Sequence, residues 1–207
     1  MCRCVVSGLF PRSLGYCKLD PQMEQKNKRI VLTGFMGVGK STVARHLSRL
    51  TAKRYADLDD EIERISGSTI KRIVEEDGID QFRALETEVL ADLLKDGRTS
   101  IISLGGGAWI TEKNRSMIKS NGVVAVWLET TFDHCWRNIR FSRKERPLVK
   151  NKRQAKRLFE EREKVYCLAD WHFVIDRGYN SFDIAQRIAA DVFSIDARRS
   201  GRRRKRL

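Results

Sequence analysis

Short continuous runs of hydrophobic residues alternate along the chain with segments whose apolar positions recur at helical spacing. The runs that predict strands are residues 30–33, a second run that ends at Asp57, and residues 100–104, 123–128 and 172–175. The first predicted helix follows the glycines at 34–39 and has Val43, Leu47 and Leu50 on one stripe. The other predicted helices cover about 59–66, 70–77, 79–95, 111–121, 132–140, 154–167 and 181–195. Strands that alternate with helices are typical of an α/β domain with a parallel sheet.

The length and composition fit a single soluble domain. A chain of 207 residues can bury one substantial core, and 41% hydrophobic with 33% charged residues is a globular balance. No apolar run approaches the roughly 20 residues needed to cross a bilayer, so we expect no membrane association. The five cysteines (Cys2, Cys4, Cys17, Cys135 and Cys167) show no zinc-site or disulfide spacing, which favours a reducing, cytoplasmic location.

Positive charge is concentrated at the two ends of the chain. Of the formal net charge of +14, residues 197–207 carry +7 and the first 28 residues +3, which leaves +4 for the middle. A mildly basic domain suits an enzyme that handles anionic nucleotides and carboxylates, and it does not require a nucleic-acid partner. We predict a poorly ordered extension over 1–27, a domain over 28–196 and a disordered tail over 197–207. The extension fits a leader, a transit peptide, or a chain whose natural start is Met23.

Residues 34–41 read GFMGVGKS and match the phosphate-loop pattern G-x-x-x-x-G-K-[ST] between a predicted strand and a predicted helix. Glycines let the backbone fold closely around phosphate, and amide groups at a helix N-terminus point at the anion. In this pattern Lys40 reaches the β- and γ-phosphates and the Ser41 hydroxyl binds Mg²⁺. The motif predicts a nucleotide-binding protein and leaves the acceptor open.

The rest of the sequence favours a small kinase among the phosphate-loop classes. A GTPase would need an N-K-x-D motif, but Asn27-Lys28 precedes the first strand and the NKRQ sequence at 151–154 lacks the aspartate. A motor ATPase usually has an acid at the end of a buried strand, where the third run here continues into glycines. The acid instead follows the second run, an arrangement typical of a compact kinase.

Asp57 and Asp59 close the second predicted strand. Because side chains alternate along a strand, we expect both carboxylates on one side, at the carboxyl edge where ligands bind in open α/β sheets. Such a pair can give one carboxylate to Mg²⁺ and the other to a substrate hydroxyl. Alternatively, Asp59 or Asp60 only caps the helix that follows.

Two arginines stand in apolar helical surroundings. Arg162 shares a helix face with Leu158, Phe159, Val165 and Tyr166. A buried cation needs an anionic partner, which could be structural, such as Glu86 or Asp59, or a substrate carboxylate, which arginine binds in a bidentate manner. Arg83 poses the same choice, with Glu86 at i+3 as its structural partner.

Together these segments resemble shikimate kinase, in order and with similar spacing, over nearly all of residues 30–195. The matching segments are the phosphate loop at 34–42, D-x-D at 57–59, F-R-x-x-E at 82–86, three glycines at 105–107, R-P-L at 146–148 and R-x-x-x-Y at 162–166. The resemblance implies a single-domain, five-stranded parallel sheet of order 2-3-1-4-5 with flanking helices. The basic, apolar-poor segment at about 141–153 would be a mobile lid.

The resemblance also implies an activity and residue roles. The γ-phosphoryl group of ATP would pass to the 3-hydroxyl of shikimate, on the route to chorismate and the aromatic amino acids, in a monomer that uses Mg²⁺. ATP would be bound by Gly37, Val38, Gly39, Lys40, Ser41, Thr42 and Arg146, and Mg²⁺ by Ser41 and Asp57. Shikimate would be bound by Asp59, Arg83, Gly106 and Arg162, with Lys40, Asp59 and Arg146 as the catalytic residues. Adenine would lie near Arg137, Arg140 or residues 177–180, where the chain departs from the family pattern.

Two other functions fit parts of the sequence. A related kinase for gluconate or a nucleoside monophosphate would share the phosphate loop but lack the joint set of Asp59, Arg83 and Arg162. A catalytically silent relative could use the basic tail at 197–207 to bind nucleic acid or another polyanion, but every residue that the chemistry needs is present. We therefore expect no specific nucleic-acid partner, although the tail could bind polyanions weakly.

Overall fold

The computed structural model describes residues 28–142, 149, 151–175 and 178–195. Five parallel strands form one sheet in the order β2-β3-β1-β4-β5. The strands are β1 (Ile30–Thr33), β2 (Tyr55–Asp57), β3 (Ile101–Ser103), β4 (Val124–Glu129) and β5 (Trp171–Val174). The predicted α/β class and strand order are confirmed.

Helices flank this sheet throughout the part of the chain that is described. They are α1 (Lys40–Thr51), α2 (Leu58–Ser66), α3 (Ile70–Glu76), α4 (Ile79–Asp96), α5 (Glu112–Ser120), α6 (Phe132–Phe141), α7 (Lys152–Tyr166) and α8 (Ser181–Phe193), with a 3₁₀ turn at Ala108–Ile110. Among the described residues, none of the helices combines the length and the hydropathy needed to span a membrane.

β1 lies at the centre of the sheet because its side chains are apolar on both faces. Ile30, Val31 and Leu32 are fully buried, as expected for a parallel strand covered by helices on either side. Leu32 pairs with Ser103 of β3, and Ser103 pairs in turn with Asp57 of β2. The carboxyl ends of β1, β2 and β3 therefore lie level at one edge, where the predicted phosphate loop, carboxylates and glycines follow.

The last helix brings its N-terminus to this same edge. α8 packs along α1 through a buried stripe that includes Ile188 and Val192. Asn180 begins the helix with a capping box, in which its side chain accepts hydrogen bonds from the backbone N–H groups of Phe182 and Asp183. The first residue of α8, Ser181, thereby comes to lie beside the phosphate loop.

The predicted element boundaries differ from the observed ones by one or two residues, and the largest correction concerns the basic loop. We predicted the loop over 141–153, but Phe141 still belongs to α6, and Lys152 already begins α7. The Asn151 side chain caps α7 by accepting from Gln154 N, and lysine, arginine and glutamine are good helix formers. Residues 143–148 and 150, which include Arg146, and both predicted terminal segments, 1–27 and 197–207, lie outside the described residues.

Candidate active site

The phosphate loop connects β1 to α1 in a conformation that requires glycine at two points of close approach. Gly37 has a φ of 83°, and a Cβ there would lie 2.6 Å from the backbone oxygen of Cys135 in α6. Gly34 has a φ of 135°, and a Cβ there would lie 2.9 Å from the oxygen of Leu128. A side chain at either position would force the loop away from β4 and α6. The loop is thus held in place by contacts to the elements behind it.

Lys40 begins α1 and turns back into the loop. Its side chain is 8% exposed, and Nζ donates to the carbonyl oxygens of Gly34 at 2.7 Å and Phe35 at 3.1 Å. These bonds hold the ammonium group at the mouth of the loop, where a phosphate bound by the loop amides would lie.

A cleft of about 340 Å³ opens over the loop. It brings together the predicted ATP-site residues Gly37, Gly39, Lys40, Ser41 and Thr42 with Asp57, Asp59 and Gly106 from the predicted metal and substrate sites. Val38 is different: its side chain is 3% exposed and belongs to the hydrophobic core. Only its backbone can face a nucleotide.

Asp57 and Asp59 both line the cleft, but the alternation that we predicted for them is wrong. Asp57 is the last residue of β2 and also the N-cap of α2, so Asp59 lies in the first helical turn. The Asp57 Oδ1 atom accepts from the backbone N–H of Asp59 at 3.2 Å. The alternative that Asp59 or Asp60 caps the helix is wrong as well, since Asp57 does so. The two carboxylates come together because the helix starts within the D-x-D segment.

Several buried side-chain oxygen atoms at this edge have no hydrogen-bond partner in the part of the chain that the structure describes. Asp57 Oδ2, Thr33 Oγ1 and Ser103 Oγ make no hydrogen bond among the described residues, although a buried polar atom is normally paired. Magnesium typically uses one or two carboxylates and completes its sphere with water and phosphate oxygens. The oxygen atoms of Asp57, Thr33 and Ser103 fit such an ion and its water shell. A metal site made only of protein side chains is a different case: no group of three or more His, Cys, Asp or Glu side chains that could hold a metal occurs in the described ranges.

Two glycines of the 105–107 turn, Gly105 and Gly107, make room for charged side chains. A Cβ on Gly105 would lie 2.5 Å from Asp59 Oδ1 and 3.0 Å from Glu86 Oε1. A Cβ on Gly107 would lie 2.5 Å from the Cζ of Arg83. Gly106 faces the cleft, and a Cβ there would make only ordinary contacts, the closest at 3.5 Å. The turn is therefore enclosed by the side chains predicted to bind the acceptor.

Arg83 forms the predicted structural ion pair. Its Nη1 lies 2.6 Å from Glu86 Oε2, and the Glu86 side chain is only 1% exposed. Burial raises the pKa of Glu86, although Arg83 opposes this shift, and Glu86 Oε1 has no hydrogen-bond partner among the described residues. The Arg83 side chain, at 24% exposure, retains N–H groups on its open side because one nitrogen suffices for Glu86.

Arg162 lies on α7 with no ion-pair partner in the described part of the chain. It is 8% exposed, and its Nη1 donates to the backbone oxygen of Gly106 at 2.9 Å. Burial lowers the pKa of the guanidinium group. The structural partners that we considered, Glu86 and Asp59, form no ion pair with it. Its remaining N–H groups are therefore available to an anion from outside the protein.

Sequence reasoning missed Asn138 and Ser103. Asn138 of α6 donates through Nδ2 to the backbone oxygen of Gly37 at 2.8 Å and lines the cleft. No local pattern marked it, whereas Ser103, a polar residue in an apolar run, gave a signal that we did not use.

Of the predicted adenine contacts, Arg137 and Arg140 lie on the exposed side of α6, Arg177 lies outside the described residues, and the Asn180 side chain caps α8.

A phosphate loop after the central strand β1, carboxylates at the end of β2 and the sheet order 2-3-1-4-5 define a P-loop kinase domain. A family model described as "Shikimate kinase" matches residues 36–193. A shikimate kinase of Cereibacter sphaeroides is 41% identical over 151 residues, 72% of this chain and 74% of the relative. One of Persephonella marina is 39% identical over 170 residues, 80% of this chain and 99% of the relative. The chain belongs to the shikimate kinase family.

Solved structures agree with this assignment. Shikimate kinase from Acinetobacter baumannii, in complex with shikimate, superposes with a TM-score of 0.75 at 32% identity, covering 84% of this chain and 98% of that chain. A gluconokinase from Sinorhizobium meliloti has a TM-score of 0.51 at 14% identity, covering 84% of this chain and 96% of its own. That second likeness shows the fold alone.

Proposed function

We propose that this chain transfers the γ-phosphoryl group of ATP to the 3-hydroxyl of shikimate and so forms shikimate 3-phosphate and ADP. The environment of Arg162 is the observation that supports shikimate as the acceptor. A buried guanidinium group without an ion-pair partner in the described chain, beside Gly106 and close to Arg83, fits the carboxylate of a small acid. Membership of the shikimate kinase family supports the same substrate. The reaction is a step toward chorismate and the aromatic amino acids.

On the donor side, the backbone of Gly37, Val38 and Gly39 with Ser41 and Thr42 binds the phosphates of ATP. Lys40 turns from the carbonyl oxygens of its own loop toward the β- and γ-phosphates. Ser41 and Asp57 hold Mg²⁺, and Asp57 Oδ2, which has no hydrogen-bond partner among the described residues, contacts the ion or its water shell. When bound, the ion would neutralise charge on the transferring phosphoryl group.

On the acceptor side, Arg83 and Arg162 bind the shikimate carboxylate while Gly106 contacts the ring. Asp59 accepts a hydrogen bond from the 3-hydroxyl, orients it toward the γ-phosphate and takes its proton. Phosphoryl transfer needs in-line placement and charge neutralisation more than covalent help. The sequence-predicted role of Arg146, as a cation brought onto the phosphates by the lid, belongs to the same proposal, as do a monomeric state and a cytoplasmic location.

The test is ADP formation by the purified protein with Mg-ATP and one acceptor at a time: shikimate, gluconate or AMP. We expect strong stimulation by shikimate and none by the other two. Stimulation by gluconate instead would establish the alternative kinase, because the phosphate loop serves both reactions. Purified product should carry the new phosphate on the 3-oxygen, which phosphorus NMR can assign.

Variants then test the roles at the acceptor. Asp59→Asn should lower kcat at least about 10²-fold, the usual contribution of a positioned base. Arg162→Ala should lower kcat/KM for shikimate by about 10²-fold or more, with little change in the KM for ATP. Arg72→Ala is the matched control, because Arg72 is an exposed arginine that pairs only with the neighbouring Glu76 among the described residues. Equal losses in the control and Arg162→Ala would contradict the assignment.

A further inference from the structure

Tyr166 is a buried residue beside the glycine turn, and the proposed reaction assigns it no role. Its side chain is 2% exposed, and its hydroxyl donates a hydrogen bond to the backbone oxygen of Gly106. Arg162 donates to the same oxygen at 2.9 Å. The two residues stand four apart on α7 and therefore on one face of the helix. One carbonyl group of the glycine turn thus receives two donors from one helical turn.

Two donors occupy both lone pairs of the Gly106 carbonyl oxygen. The amide plane between Gly106 and Gly107 is rigid, so fixing this oxygen also fixes the direction of the Gly107 N–H group and the placement of the Gly106 Cα in the cleft. Arg162 meets this oxygen through Nη1, and its guanidinium group also lies within interaction distance of the Tyr166 hydroxyl. The Nη1 atom would lie 3.6 Å from a Cβ on Gly106, the glycine of the turn that lines the cleft.

The hydroxyl is held in this position by its surroundings. The Tyr166 ring lies against Trp127 of β4, with ring centroids 6.3 Å apart and an interplanar angle of 32°. Burial raises the pKa of Tyr166 to about 12, so the phenol keeps its proton and stays a donor at any pH at which the enzyme works. Tyr166 therefore connects β4, through the contact of its ring with Trp127, to the glycine turn, through the hydrogen bond of its neutral hydroxyl to Gly106.

We propose that Tyr166 is a positioning residue for the acceptor: its hydroxyl fixes the Gly106 peptide and, through the shared carbonyl, the guanidinium group of Arg162. The inference rests on the proposed function, since it assigns Tyr166 to the binding of the shikimate carboxylate and ring. A residue that only filled space beneath the turn would need the ring of Tyr166 and not its hydroxyl.

The test is Tyr166→Phe, which keeps the ring and removes the donor. We expect a drop of about tenfold in kcat/KM for shikimate, mainly as a higher KM for shikimate, with the KM for ATP within about twofold of wild type. In an Arg162→Ala background the same change should have a clearly smaller effect, because only the part that acts through the Gly106 peptide remains.

Trp109→Phe is the matched control. Trp109 is 4% exposed, and its Nε1 donates to the backbone oxygen of Val165 at 3.0 Å. Its replacement also removes a donor to α7, one residue before Tyr166, but away from Gly106. We expect a lower melting temperature and an unchanged KM for shikimate.

Three outcomes would overturn the inference. They are a wild-type KM for shikimate in Tyr166→Phe, an equal rise in the KM values for ATP and shikimate, and the same kinetic pattern in Trp109→Phe. A wild-type protein that forms no ADP with shikimate would instead overturn the proposed function, and the inference with it. Kinetics of the wild type therefore separate the two failures before any variant is measured.

Discussion

Gly107→Ala is the smallest change that tests how the acceptor arginines are placed. The backbone of Gly107 has a φ of −114° and a ψ of −17°, which alanine adopts without strain. The only new feature is therefore the Cβ atom. It would lie 2.5 Å from both Cζ and Nη1 of Arg83. The substitution leaves the turn's own conformation allowed and acts on a side chain 24 positions away in the sequence.

The size of the effect follows from the distance that Arg83 must move. Ordinary contact between such atoms is about 3.5 Å, so the guanidinium group has to retreat by about 1 Å. The turn is held in place by α7, because Gly106 O accepts from Arg162 and Tyr166 and Trp109 Nε1 donates to Val165 O. A displacement of about 1 Å in a substrate-positioning group can lower the rate by about 10²-fold. We expect that loss in kcat/KM for shikimate.

Steady-state kinetics with each substrate varied in turn measure the effect. The KM for ATP should stay within about twofold of wild type, since the three atoms nearest to the new Cβ all belong to Arg83. A double-mutant cycle supplies the control: in an Arg83→Ala background, Gly107→Ala should change kcat/KM by less than about twofold. Wild-type kinetics of Gly107→Ala, or a full additional loss in the Arg83→Ala background, would refute the reasoning.

Three further predictions concern the buried carboxylates and the phosphate loop. Because burial raises the pKa of Glu86, the unfolding free energy of wild type relative to Glu86→Gln should fall as pH rises from about 4 toward neutrality; parallel urea-unfolding curves across this range would contradict it. Asp57→Asn keeps a helix-capping side chain, so the melting temperature should hold while the Mg²⁺ concentration for half-maximal activity rises about tenfold or more. Gly37→Ala places a Cβ 2.6 Å from the Cys135 oxygen and should raise the KM for ATP about tenfold; an unchanged KM would show that the loop tolerates the shift.

The fold could be predicted largely from the sequence because its signals are local. Apolar runs such as that of β1 are continuous, and Asn180 and Gly97 lie at helix boundaries as capping rules require. The strand order was also predicted correctly, but from the resemblance of the motifs to a known family. Periodicity carries no information about it. The D-x-D segment shows the limit of a local rule. Its two carboxylates lie together as predicted, but a helix starts between them where strand alternation was assumed.

The parts of the site that could not be predicted depend on contacts between distant positions. The hydrogen bond from Asn138 to Gly37 spans 101 residues, and that from Tyr166 to Gly106 spans 60. Spacing within one element carries no information about such pairs. Arg162 illustrates the same point, because its place on an apolar helix face indicated the need for a partner but not its hydrogen bond to the backbone oxygen of Gly106, 56 residues away.

The two loops of the site leave adjacent strands. The phosphate loop follows β1, the glycine turn follows β3, and Leu104 N donates to Leu32 O at 3.0 Å where the strands end. The separation of these two loops is thus set by the spacing of neighbouring strands, about 4.8 Å, and not by the outer helices. Substitutions or insertions on the exposed faces of α3 and α5 can therefore accumulate without altering the geometry of transfer, and the amide of Leu104 should be among the slowest in the chain to exchange with deuterium.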